Sequence, residues 1–163
     1  MTAAFDDVDA VVHAAESYMA AGDFRSAESV VGTALGVHPN HPRLLTVYAR
    51  VKLGQSDYVA AASSAHAALS VAPENEYAMR IYSHALELQG RIPEALTMAW
   101  RTATAHPQSH LAHHTYARML SDAGRPVEAM TAKPRLASSA TASEPTPPAA
   151  PVTITGPCRG ETP

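Results

Sequence analysis

The sequence predicts an all-α protein, an α-solenoid of helix–turn–helix repeats, on three observations. Ala27, Ala61 and Ala95 stand 34 residues apart, and Ala129 continues the series. Pro39, Pro73 and Pro107 keep the same step, as do Gly22, Gly90 and Gly124, with Ser56 in the place of the missing glycine. The 163 residues are 46% hydrophobic and only 6% aromatic, with alanine abundant, which suits closely packed helices better than strands. A period in this range marks units that stack on their neighbours and present an extended concave surface.

The elements follow in order. Residues 1–7 form an N-terminal extension. The first repeat, 8–41, opens with a helix over about 8–21, turns at Gly22-Asp23 and continues as a second helix over about 24–37 that Pro39 closes. Asp23 and Asp57 are suited to cap the second helices of their repeats, because a short carboxylate can accept from exposed first-turn N–H groups. In the second repeat, 42–75, Leu45, Tyr48, Ala49, Lys52 and Leu53 keep helical i, i+3, i+4, i+7 spacing. The third, 76–109, repeats it with Met79, Tyr82, Ser83 and Leu86, and Pro93 falls in a helical first turn, where a missing N–H costs little. A partial fourth, 110–132, has a helix over about 110–123 with His113, Tyr116, Ala117 and Leu120 on its stripe; Pro126 then opens a shortened second helix. Small residues at Ala15, Ala49, Ser83 and Ala117, facing Ala27, Ala34, Ala61, Ala68 and Ala95, form the seam that close helix pairs require. Lys133-Pro134 ends the pattern. Residues 133–163 hold seven of the thirteen prolines among Ala, Ser and Thr, too few large apolar groups to offset chain entropy, and are expected to be disordered.

Bulk properties narrow the function. A net charge of −3 and a pI near 6.3 argue against nucleic acid as partner. One cysteine, Cys158, excludes an intrachain disulfide framework. The N-terminus lacks a signal-peptide pattern, and no apolar run is long enough to span a membrane, so a cytoplasmic protein is expected. The serines, Ser63, Ser64 and Ser70 among them, have no nucleophile-elbow glycines, and no phosphate-binding glycine loop occurs. Neither an enzyme nor a cofactor is expected.

On these residues the chain resembles the tetratricopeptide repeat family, whose 34-residue units favour small residues, glycine, an aromatic, alanines and a closing proline at set positions. The first repeat supplies Ala15, Gly22, Phe24, Ala27, Ala34 and Pro39. The second supplies Ala49, Tyr58, Ala61, Ala68 and Pro73; the third supplies Ser83, Gly90, Ala95 and Pro107, with Ile92 for the aromatic. Lys52 departs from the family's apolar preference. The resemblance covers residues 8–132 and implies a right-handed solenoid of three repeats plus a capping helix. The shift at residue 133 also admits a truncated or frame-shifted longer array.

The resemblance further implies that the first helices line a concave groove. Carried over by repeat position, the peptide-facing residues are Arg43, Thr46, Val47, Arg50, Tyr77, Arg80, Ile81, His84, His114 and Arg118. Four arginines on one surface of an acidic protein point to a peptide with acidic side chains or a free C-terminal carboxylate. The family's two-carboxylate clamp for chaperone tails is missing, since Val12, Glu16 and Val47 occupy its places. An adaptor that binds another protein is the first functional reading. A secretion or assembly chaperone, or a repeat segment of a larger protein, are alternatives, and homodimerisation through a solenoid end is a further expectation. His110, His113 and His114 form a weak metal candidate, because His110 and His114 have i, i+4 spacing but no carboxylate or thiolate joins them; a metal- or pH-responsive protein is the least favoured reading. Pro148-Ala149-Ala150-Pro151 matches a weak PxxP motif.

Overall fold

The computed structural model describes residues 7–124 and is all-helical over them. Seven helices follow one another: α1 (Val8–Ala20), α2 (Phe24–Val37), α3 (Pro42–Gly54), α4 (Tyr58–Val71), α5 (Glu76–Leu88), α6 (Ile92–Ala105) and α7 (His110–Asp122). Three helical hairpins are thus followed by α7. The extension 1–6, the second helix of the fourth repeat with Pro126 and Ala129, and the segment 133–163 lie outside the described residues.

The helix starts have local causes. Asp23 accepts from the Ser26 N–H at 3.0 Å and Asp57 from the Ala60 N–H at 3.1 Å, as their positions predict. The first helices of each hairpin carry a second series of caps on the same step. Asp7, Asn75 and Ser109 accept from N–H groups of α1, α5 and α7, while His41 makes no such bond and Pro42 opens α3 instead. The hairpin turns repeat one motif. Asp23, Asp57 and Arg91 N–H groups donate back to the carbonyls of Tyr18, Lys52 and Leu86, at 2.9, 3.0 and 2.9 Å. This closure requires a left-handed residue just before each donor. Gly22 and Gly90 supply it at φ 77°, and Ser56 adopts it at φ 63°.

Packing follows the small-residue seam. Ala15, Ala27, Ala34, Ala49, Ala61, Ala68 and Ser83 are all fully buried, and larger side chains fill the spaces between hairpins, chiefly Leu44, Met79, Leu86 and Leu120. Each buried Leu or Met contributes on the order of 1.5–3 kcal/mol of hydrophobic stabilisation. Ala117 is only half-buried. Helices α1, α3, α5 and α7 touch in turn, whereas α2, α4 and α6 are joined only through them. The row of mutually contacting helices forms the narrower, concave side.

Candidate functional site

Helices α3, α5 and α7 enclose a cleft of about 230 Å³ on the concave side. Arg50 and Leu53 come from α3; Tyr77, Arg80, Ile81 and His84 from α5; Thr115 and Arg118 from α7. The helical period places Tyr77, Arg80, Ile81 and His84 on one face, because they follow i, i+3, i+4, i+7. The cleft therefore gathers Arg50, Tyr77, Arg80, Ile81, His84 and Arg118 from the residues expected on sequence. Leu53 of α3 and Thr115 of α7 complete the lining.

Four expected residues are elsewhere. Thr46 and Val47 are buried at 3% and 6% exposure, and the Thr46 hydroxyl donates to the Pro42 carbonyl at 2.7 Å. Val47 packs in the core with Val11, Val12 and Leu44. Neither side chain can meet a ligand, which corrects the expectation for both. Arg43 lies outside the cleft and pairs with Asp9 of α1. His114 is exposed and its ring stacks on His110 with centroids 6.3 Å apart. His113 turns its Nε2 to the Pro107 carbonyl at 3.1 Å, so the three histidines are not drawn together. Among the described residues no three ligand-type side chains form a metal-sized group.

The arginines meet carboxylates of this chain, but unequally. Arg118 is held by both Glu87 oxygens, at 2.8 and 2.9 Å, and by Asp122 at 2.9 Å. Arg50 and Arg80 approach Glu16 and Glu76 only to 3.8 Å, beyond hydrogen-bond reach. The Arg80 Nε is shut off from solvent and has no hydrogen-bond partner among the described residues, and its guanidinium carbon lies 5.8 Å from the Tyr77 ring centre. His84 is exposed overall, yet partial desolvation holds its pKa below the usual 6.5, with Glu87 opposing and Arg118 adding to the shift. The cleft thus offers two guanidinium groups without hydrogen bonds among the described residues, an imidazole whose pKa is held low, and the apolar side chains of Leu53 and Ile81.

Stacked helical hairpins around an open polar cleft define a repeat scaffold, a class of protein-interaction modules that is typically not enzymatic. The chain belongs to the tetratricopeptide repeat family: the family model matches residues 13–63 and again 48–110. Among solved structures it is similar to MamA from Desulfovibrio magneticus RS-1, at 17% identity over 77% of this chain and 71% of that one, with a TM-score of 0.68. It is also similar to the thermophilic protein TTC0263 of Thermus thermophilus, at 16% identity over 75% and 69% of the two chains, TM-score 0.68. MamA AMB-1 aligns at 21% identity over 77% and 69%, TM-score 0.60. At these identities the likeness is one of fold. No curated protein matches the chain significantly. Among the described residues, no helix is long and apolar enough to cross a membrane.

Proposed function

We propose that this chain is an adaptor whose concave cleft holds a carboxylate-bearing segment of a protein partner between Arg50 and Arg80. The observation that carries this reading is the mismatch at those two arginines. Among the described residues, each has a carboxylate near enough to keep it in place but no hydrogen bond to satisfy it. An incoming carboxylate gains charge-assisted bonds there without first breaking strong ones. Arg118 is already saturated by Glu87 and Asp122, so it frames the cleft rather than competing for the ligand. Tyr77 holds the Arg80 plane, and Leu53 and Ile81 accept an apolar neighbour of the bound group.

The test is a peptide array with free and amidated C-termini and with acidic or amide side chains, probed with the purified protein. Peptides bearing a carboxylate should be retained, and Arg50→Glu with Arg80→Glu should abolish their capture while leaving the helical circular dichroism unchanged. Retention that ignores both the peptide carboxylate and these substitutions would overturn the reading. A carboxylate entering the cleft should also raise the His84 pKa, detectable in the imidazole resonances on titration.

A further inference from the structure

Two hollows, of about 330 and 310 Å³, lie away from the cleft, between α4 and α6. Both are lined by His66 and Tyr82, whose ring centres stand 5.8 Å apart, so they form the two ends of one groove. Ala62 lines the smaller end, and Met98 and Arg101 line the larger. Helices α4 and α6 do not touch, and Tyr82 of α5 is the floor between them. The groove shares no lining side chain with the cleft.

The repeat steps before and after this one show what covers the equivalent tyrosine. Tyr48, Tyr82 and Tyr116 stand 34 residues apart, as do Glu28, Ala62 and Leu96, and Lys52, Leu86 and Leu120. Over Tyr48, Glu28 reaches from α2 and accepts from Lys52, from Gln55 at 2.7 Å and from the tyrosine hydroxyl at 3.4 Å. At the later step Leu96 and Leu120 belong to one buried cluster on which Tyr116 packs. At the middle step Leu86 holds the place of Lys52 and Leu120, but the covering residue has shrunk to Ala62. The frame around it is kept, since Gln89 donates to the Tyr58 carbonyl at 2.7 Å, just as Gln55 donates to the Phe24 carbonyl at 3.3 Å. The hollow therefore opens where both neighbouring repeats place a large side chain. With Leu86 instead of Lys52, no ammonium awaits a carboxylate there, so the space suits the leucine of the later step.

We propose that this groove holds a helix of a protein partner, with a leucine seated over Tyr82 against Ala62 and a carboxylate one turn away on Arg101. Charge complementarity supplies the second contact. Neither end of the groove is lined by Asp or Glu. Arg91, at the smaller end, is engaged by Glu94 at 2.8 Å, whereas Arg101 makes no hydrogen bond or ion pair among the described residues. A carboxylate arriving there gains charge-assisted bonds and displaces none. The spacing fits a helix. On the repeat grid Ala62 is level with Leu96, five residues before Arg101, so the two contacts lie about 7.5 Å apart at about 1.5 Å per residue. Residues i and i+4 of a helix share one face about 6 Å apart, and the long arginine side chain spans the difference. Helices also supply the covering residue at both flanking steps, Glu28 from α2 and Leu96 from α6. This site goes beyond the concave cleft and does not depend on it; with both occupied, the chain joins two segments.

The probes are stapled helical peptides with one leucine and one glutamate at i, i+4, in both orders, added to the isotope-labelled full-length protein. Resonances of Ala62, Tyr82 and Met98 should shift, and those of Arg50 and Arg80 should not. Replacing the peptide leucine by alanine, or its glutamate by glutamine, should weaken binding about tenfold. Ala62→Leu, which restores the covering residue of the next repeat, should abolish the shifts with the helical circular dichroism unchanged. Arg101→Glu should weaken binding of the glutamate peptide, and a peptide with lysine in that place should recover it; this exchange leaves the buried residues untouched. Absence of shifts at millimolar peptide, or binding indifferent to both Ala62→Leu and Arg101→Glu, overturns the proposal. So do shifts centred on Arg50 and Arg80, which would place the peptide in the cleft. Shifts of Tyr82 on dilution of the protein alone would place a second copy in the groove and overturn it as well.

Discussion

Ser56 occupies the turn position where Gly22, Gly90 and Gly124 have φ of 74–77°, and it holds φ 63° there. A side chain in this left-handed region meets its own carbonyl, which costs about 1–2 kcal/mol, while glycine gives part of that back through a freer unfolded chain. Ser56→Gly should therefore stabilise the protein by about 0.5–1 kcal/mol in denaturant melts. Gly54, at the end of α3, is needed for a different reason. A Cβ there would lie 2.1 Å from the Phe24 ring, so Gly54→Ala must displace that aromatic and should destabilise by about 1–3 kcal/mol. The repeat grid made the first residue legible, because a serine stood where glycine was due. It gave no hint of the second, because close approach of a ring from another hairpin has no signature in local spacing. The same distinction separates Arg80 from Thr46. Their positions on the repeat are equivalent, but Thr46 is buried with its hydroxyl satisfied by Pro42, while Arg80 opens onto the cleft.

At the scale of elements, α2 and α3 are joined by a polar network that the family's pattern does not call for. Lys52 lies over the Tyr48 ring at 5.3 Å and bonds Glu28, and Gln55 completes the arrangement. Hydrogen bonds from Lys52 and then Gln55 hold the Glu28 carboxyl below its ordinary value of 4.5, and the bond to Glu28 raises Lys52 above 10.5. The depressed carboxyl contributes stability that is fully present above pH 4.5 and is lost as pH falls through its lower folded value. The raised ammonium contributes stability that is present below pH 10.5 and is lost as pH rises through its folded value. Glu28→Gln should cost about 1 kcal/mol at neutral pH and flatten the acid limb of a stability–pH curve. An acid limb identical to that of the parent protein would assign the loss to other carboxylates. Sequence reading marked Lys52 as an exception but not Glu28, which sits 24 residues earlier on a different helix.

For the whole molecule, stability in such an array is shared between neighbours rather than held by one core. Helix α3 packs against α1, α2, α4 and α5, while α1 meets only α2 and α3 among the described elements. Native-state hydrogen exchange should accordingly find α3 amides the more protected and α1 amides exchanging through local opening. Equal protection of the two helices would show that the described residues open as one cooperative unit.

The sequence by itself determined the helix–turn–helix repeat, the turns and most helix boundaries, because proline, glycine and capping residues act through the backbone within a few positions of themselves. Through its resemblance to the family it also implied that Arg50, Tyr77, Arg80, Ile81, His84 and Arg118 stand on helices that share a side. Only the tertiary structure decided which arginines have capacity left, since Arg118 is saturated by Glu87 from a neighbouring helix and Arg50 and Arg80 are not. It likewise decided that Thr46 and Val47 are closed off and that a groove opens over Tyr82. The physical reason is common to all of these. Repetition sets backbone positions locally, but the satisfaction of a charge and the filling of a space depend on side chains from helices far apart along the chain.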